Sequence, residues 1–200
     1  MRYLRPPTRV LLARLRQPPA LMQILVGPRQ VGKTTAILQV AASLRRRGYA
    51  TVLAEADAVA SPPADWIREH WRRAVATARG GRPTLLALDE VQKIPGWSEV
   101  VKQESDALQR LPVARRPRVV LSGSSALLVE RGLTESLAGR FELLRFPHWG
   151  FDEERRAFRW DLRTHVCLGG YPRLRDFAGD PDRFLGSDPA ASLDLALGEA

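Results

Sequence analysis

One stretch of the chain constrains its fold more than any other. Leu21-Met-Gln-Ile-Leu-Val26 is mostly apolar, Gly27-Pro-Arg-Gln-Val-Gly32 is a glycine-bounded turn, and Lys33-Thr34-Thr35 opens a run in which Ala36, Ile37, Val40, Ala41 and Leu44 recur at helical spacing. A strand that passes into a helix through such a turn gathers main-chain N–H groups around one point, where Gly27 and Gly32 place no Cβ. The helix then aims its positive dipole end, with its unpaired N–H groups, at the same point. An anion is expected there.

The spacing G-x-x-x-x-G-K-T sharpens that expectation to a P-loop. Lys33 suits the outer phosphates of a polyphosphate, and the Thr34 hydroxyl suits Mg²⁺. Gly27, Pro28, Arg29, Gln30, Val31, Gly32, Lys33, Thr34 and Thr35 are the expected nucleotide-binding residues, with ATP and Mg²⁺ as ligands. A chance match would lack the flanking strand and helix, and both patterns are present.

A second signal lies downstream. Pro83-Thr-Leu-Leu-Ala-Leu-Asp89-Glu90 is an apolar run, as befits a strand buried on both faces, closed by two carboxylates. Alone it reads as a solvated strand end; after a P-loop it reads as a Walker B pattern. Asp89 is expected to hold Mg²⁺ through water, and Glu90 to orient and deprotonate an attacking water, since positioning and charge stabilisation dominate phosphoryl transfer. Arg118-Val-Val-Leu-Ser-Gly-Ser-Ser125 is a further buried strand with a small polar tip. A hydroxyl there can reach the γ-phosphate, and of Ser122, Ser124 and Ser125 the reading favours Ser124; the plain alternative is a tight turn.

The remaining elements follow from periodicity and punctuation. Val10, Leu11, Leu12 and Leu15 are expected to face the core from a basic N-terminal arm or helix, and Ala50 to Glu55 reads as a strand after the Gly48 stop. Asp65 is placed as the cap of a helix burying Ile67, Trp71, Ala74, Val75 and Ala78, and Ser98 as the cap of one reaching Leu111 that turns Val101, Ala107, Leu108 and Leu111 inward. Ser61-Pro-Pro63 is expected to turn.

Composition excludes several classes. No apolar run approaches a membrane span and Met1-Arg-Tyr-Leu-Arg-Pro-Pro lacks a signal-peptide core, so a cytoplasmic protein with no membrane partner is expected. With Cys167 alone and three scattered histidines there is no disulfide and no thiolate metal cluster. The net charge of +9 is uneven: nine arginines and Lys33 precede the first acidic residue, Glu55. Arg2, Arg5, Arg9, Arg14 and Arg16, with Arg45-Arg46-Arg47, could face an acidic partner or nucleic acid. The plain alternative is a coding bias, since 28 arginines stand against three lysines, together with the helix dipole's preference for cations at its C-terminus.

Read in order, G-P-R-Q-V-G-K-T-T (27–35), L-D-E-V-Q-K-I-P-G-W (88–97), L-S-G-S-S-A-L-L (121–128), L-T-E-S-L-A-G-R-F-E (133–142) and G-G-Y-P (169–172) resemble the prokaryotic AAA-type P-loop ATPases in which this domain precedes a C-terminal domain of unassigned role. The resemblance covers roughly residues 20 to 173. It implies an α/β fold of the additional-strand, catalytic-glutamate type, with a parallel five-stranded sheet ordered 5-1-4-3-2 and helices on both faces. It carries over Lys33 and Thr34 for phosphate and Mg²⁺, Asp89 and Glu90 for metal and water, a serine of 122 to 125 as sensor, and Arg140 as an arginine finger reaching a neighbouring subunit, hence a homo-oligomer. Gln92 would tune Glu90. The alternative for Arg140 is a surface salt bridge, with Glu135 a nearby partner.

The expected organisation is an arm or helix over 1–20, an ATPase core over 21–165, and the start of a shortened lid with a turn-rich tail over 166–200. Beyond Pro172 the family pattern breaks off. Trp149, Phe151, Phe158, Trp160 and Tyr171 are expected to lie partly uncovered as an apolar patch. The expected function is Mg-ATP binding and hydrolysis. A non-hydrolysing nucleotide switch and a nucleic-acid-associated module using the Arg-rich first quarter are the alternatives, and Glu90 favours hydrolysis over both. A P-loop small-molecule kinase ranks last, for want of acceptor-binding residues.

Overall fold

The computed structural model describes residues 3–56, 65–123, 137 and 139–177. Ser124, Ser125, Glu135, Arg2 and the turn at 61–63 lie outside them. Contacts divide the chain into two compact units. The larger comprises Leu4–Arg29 and Lys33–Phe146; the smaller gathers Gln30–Gly32 with Tyr3 and the residues from Pro147 onward.

In the larger unit the elements run α1 (Pro6–Arg16), β1 (Met22–Val26), α2 (Lys33–Arg45), β2 (Ala50–Glu55), α3 (Asp65–Arg79), β3 (Thr84–Asp89), α4 (Trp97–Gln109), β4 (Arg118–Gly123) and β5 (Phe141–Arg145). The five strands form one sheet in the order β2-β3-β4-β1-β5, every pair parallel, which is the expected 5-1-4-3-2 read from the other edge. β1 and β3 are buried along their whole length, β3 as its apolar run requires and β1 with Gln23 buried among its apolar residues.

Side-chain alternation explains the two layers. Ile24, Val26, Leu86, Leu88, Val119 and Leu121 join one core cluster with Ile67, Trp71 and Ala74 of α3 and Val100, Val101 and Leu108 of α4. The intervening Leu25, Leu85, Ala87 and Val120 are also buried, and α2, paired with α1, packs on β2, β3 and β4. α2 buries the expected Ala36, Ile37, Val40, Ala41 and Leu44.

Several helix details differ from expectation. α1 buries Thr8, Leu11, Leu12 and Leu15, whereas Val10 is 43% exposed because it lies on the opposite side of that stripe. Val75 is only half-buried on α3. Gly96, not Ser98, caps α4, which buries Trp97, Val100, Val101, Ser105 and Leu108 and ends at Gln109; Ala107 falls off the stripe and is exposed.

The smaller unit holds α5 (Phe151–Phe158) and α6 (Leu162–Leu168). Asp161 caps α6, its carboxylate accepting the Thr164 N–H at 2.8 Å. Trp160, Leu168 and Leu174 form a core against Phe158 and Tyr171, and Phe158 stacks within 5.0 Å of Trp149 and 5.6 Å of Trp160. Of the five aromatics expected to lie partly uncovered, Trp160 is buried and the other four are half-buried, with Phe151 beside His165 and Tyr171 beside His148.

Candidate nucleotide site

In a wholly parallel sheet the C-terminal tips of the strands lie along one edge, and here they carry the loop after Val26, Asp89-Glu90, and Ser122-Gly123. β1 lies between β4 and β5, so its tip is the switch point at which ligands of open α/β sheets bind. Val26 registers with Gly123 on one side and Arg145 on the other, and Leu88 with Leu121, which brings Ser122 level with Asp89.

The two loop glycines serve different ends. Gly27 has φ +154, and a Cβ there would stand 2.1 Å from the Phe146 carbonyl oxygen, next to the 2.7 Å bond from the Phe146 N–H to the Val26 carbonyl. Its missing side chain makes room for the chain leaving β5. Gly32, at φ +95, would meet nothing within 4 Å, so the space beside it is the open cradle a ligand needs. Gln30 takes a left-handed φ of 62 without being glycine, and its Oε1 is buried without a partner. Val31 is wholly buried, and its carbonyl accepts the Trp149 indole N–H at 3.0 Å. Pro28 is half-buried; Arg29, Thr34 and Thr35 are exposed.

Lys33 opens α2 and is only 5% exposed. Its Nζ donates to the carbonyls of Gly27 at 2.7 Å and Pro28 at 2.6 Å. Burial pulls its pKa below 10.5, Glu90 and Asp89 act against that, and Arg29 adds to it. The result is a desolvated cation held by neutral oxygens, to which a polyphosphate would supply the missing charge.

Asp89 organises the other half of the site. Its Oδ2 accepts the Thr34 hydroxyl at 2.5 Å, and its Oδ1 accepts the Glu90 N–H at 3.1 Å and the hydroxyl of fully buried Ser122. Glu90 sits at φ 57, a left-handed conformation rare for a non-glycine residue and of the kind found at functional sites. That turn swings its carboxylate out of the strand, where Gln92 Nε2 donates to Oε2 at 2.6 Å. The predicted Gln92–Glu90 interaction is thus present. Thr34 and Asp89 are hard oxygen donors in direct contact, and no group of three or more His, Cys, Asp or Glu able to hold a metal occurs among the described residues. Two oxygen side chains fit Mg²⁺, which keeps water and phosphate in its shell, and do not make an all-protein metal centre.

Arg140 is elsewhere. It immediately precedes β5, at the strand end opposite the P-loop, and grips Asp106 of α4 with two bonds, Nε–Oδ1 at 2.7 Å and Nη2–Oδ2 at 3.2 Å. The hydrogen bond from Arg140 lowers the Asp106 pKa below 3.8 and raises that of Arg140. Within one chain Arg140 therefore makes a surface ion pair. The N-terminal arginines are largely structural too: Arg5 is buried with its guanidinium 6.0 Å from the Phe146 ring centroid, Arg9 bonds the Leu4 carbonyl, and Arg14 pairs with Glu142 at 2.9 Å.

The sequence profile of the AAA domain family matches residues 20–154. The chain belongs to the AAA domain family. A 73-residue segment of this AAA protein is 36% identical to the signal recognition particle receptor FtsY of Haloferax volcanii, spanning 34% of this chain and 16% of that protein. AMPPCP-bound DnaA from Aquifex aeolicus is similar in structure, with a TM-score of 0.57 and 16% identity over 93% of this chain and 62% of that one. ORC2 from Aeropyrum pernix, in ADPNP-ADP complexes, has a TM-score of 0.55 and 16% identity over 96% of this chain and 62% of its own. At such identities the likeness is one of fold, and the AAA chain spans about six tenths of the length of these two structures. Membership makes it a nucleotide-binding domain of the P-loop ATPase class. No helix among its described residues is long and apolar enough to cross a membrane.

Proposed function

We propose that this AAA domain binds Mg-ATP at residues 27–35 and hydrolyses it to ADP, as a cytoplasmic protein. The observation that carries the reading is the Thr34–Asp89 contact beside buried Lys33, with Glu90 turned out of the same strand tip. The AMPPCP and ADPNP complexes of DnaA and ORC2 support ATP as the nucleotide. Lys33 exchanges its two carbonyl partners for the β- and γ-phosphates. Thr34 and Asp89 hold Mg²⁺, which when bound neutralises charge on those phosphates. Ser122 fixes the Asp89 carboxylate. Glu90 takes the proton of the attacking water, with Gln92 holding one of its oxygens so that the other faces the reaction. Ser124 remains the proposed contact to the γ-phosphate. Arg140 acts only on the site of a neighbouring copy, after exchanging Asp106 for phosphate, which makes the working form a homo-oligomer.

Calorimetry and steady-state turnover test this together. Lys33→Ala is expected to abolish Mg-ATP binding, and Glu90→Gln to keep affinity while lowering turnover by about 100-fold or more. Equal affinity in wild type and Lys33→Ala overturns the nucleotide assignment. Wild-type turnover no higher than that of Lys33→Ala, with binding intact, replaces hydrolysis by a nucleotide-binding switch.

A further inference from the structure

The edge of the sheet opposite the nucleotide site has a composition of its own. Because every strand is parallel, each helix of the larger unit returns the chain to this edge, and four described connections cross it: 17–21, 46–49, 80–83 and 110–117. Together they contain six arginines, Arg46, Arg47, Arg82, Arg110, Arg115 and Arg116, and no Asp or Glu. All but the half-buried Arg116 are exposed. The nearby carboxylates Asp106 and Glu142 are already matched by Arg140 and Arg14. The opposite edge is mixed, with Glu55, Asp89 and Glu90 beside Lys33 and Arg145.

A coding bias alone would not leave these connections with six arginines and no acid. The helix dipole accounts for cations in a last helical turn, but its effect fades within that turn, and Arg82, Arg115 and Arg116 lie beyond it. The connections entering β2, β3 and β4 are neighbours in the sheet, so the arginines are strung along about 10 Å at the usual spacing of strands. Over that length a nucleic-acid duplex presents about six phosphate charges. A row of guanidiniums suits that linear polyanion, and five of the six heads reach solvent.

We propose that this edge binds the phosphate backbone of a nucleic-acid duplex without reading its bases. The contact is made by the connections entering β2, β3 and β4, not by the first sixteen residues, and it is separate from the nucleotide site.

The test is fluorescence anisotropy of the whole chain with labelled 20-base-pair DNA and RNA duplexes of random sequence, between 50 and 200 mM salt. Wild type is expected to bind sequences of equal length equally, with a steep salt dependence, about −0.9 in log–log slope per phosphate contacted. Arg46→Gln, Arg47→Gln, Arg82→Gln, Arg110→Gln and Arg115→Gln combined should weaken binding at least tenfold and flatten the slope by about four. Removing the same charge at exposed positions outside these connections, by Arg72→Gln, Arg73→Gln, Arg155→Gln, Arg156→Gln and Arg163→Gln, should change affinity less than threefold. Circular dichroism melting confirms that both variants fold. The proposal is overturned if wild type binds neither duplex at 50 mM salt, if the edge variant binds as wild type does, if both variants lose affinity equally, or if phosphatidylserine vesicles bind more tightly than either duplex.

Discussion

Gly27 and Gly32 share a motif but not a physical reason. Gly27→Ala would drive a Cβ into the Phe146 carbonyl at 2.1 Å, a backbone atom that cannot rotate away, so the chain after β5 must move. We expect a loss of about 2–3 kcal/mol of stability or failure to fold. Gly32→Ala meets only open space, and its cost is the left-handed backbone, about 1–2 kcal/mol. That variant should stay folded and lose Mg-ATP affinity, because its methyl group occupies the cradle. Thermal melting and calorimetry on the two proteins decide the matter: equal melting temperatures, or unchanged ATP affinity in Gly32→Ala, would contradict this division of labour. At the same scale the register of β4 on β3 brings Ser122 to Asp89.

At the scale of elements, α4 is fastened to the lead of β5 by the Asp106–Arg140 fork. The Asp106 carboxyl titrates below 3.8 because the bonded guanidinium favours its charged form. A carboxylate depressed by folding contributes stability above its unfolded pKa and loses it as pH falls through the folded value, so the fastening is complete at neutral pH and is lost as the carboxylate protonates below 3.8. A carboxyl-detected NMR titration should place the Asp106 midpoint under 3.8, and Arg140→Ala should return it to about 3.8. A midpoint that ignores the substitution would show that the fork does not persist in solution. The same fork bears on assembly, since any use of Arg140 by a neighbouring copy competes with Asp106.

For the whole molecule the main lever is the ligand. Lys33 is buried with only carbonyls as hydrogen-bond acceptors, so the apo fold carries a cost that bound polyphosphate removes. Ligand binding to the native state alone stabilises by about 2.7 kcal/mol at a hundred times Kd, which for a chain of this size raises Tm by about 5–10 °C. Differential scanning fluorimetry should show that rise with Mg-ATP, a smaller one when EDTA removes the metal, and none in Lys33→Ala. A rise that survives Lys33→Ala would place the nucleotide somewhere else. In the smaller unit the Phe158 ring lies beside those of Trp149 and Trp160, and Trp160 is buried with Leu168 and Leu174.

What the sequence determined by itself was whatever short-range chemistry specifies. An apolar run, two glycines, Lys33-Thr34 and a helical stripe define the strand–loop–helix unit, and mostly apolar runs mark β1 and β3 as central strands, because periodicity and backbone freedom act over a few residues. The family resemblance supplied the strand order that those local signals do not contain. Tertiary structure alone decided the pairings between distant residues. Asp89 meets Thr34 across 55 positions and Ser122 across 33, and Arg140 meets Asp106, 34 positions away. It also decided that Gly27 answers to Phe146, that Arg5 is buried, and that arginines scattered through the sequence line up along one edge. Such pairings depend on strand register and helix rotation, which are set by burying all the apolar faces at once.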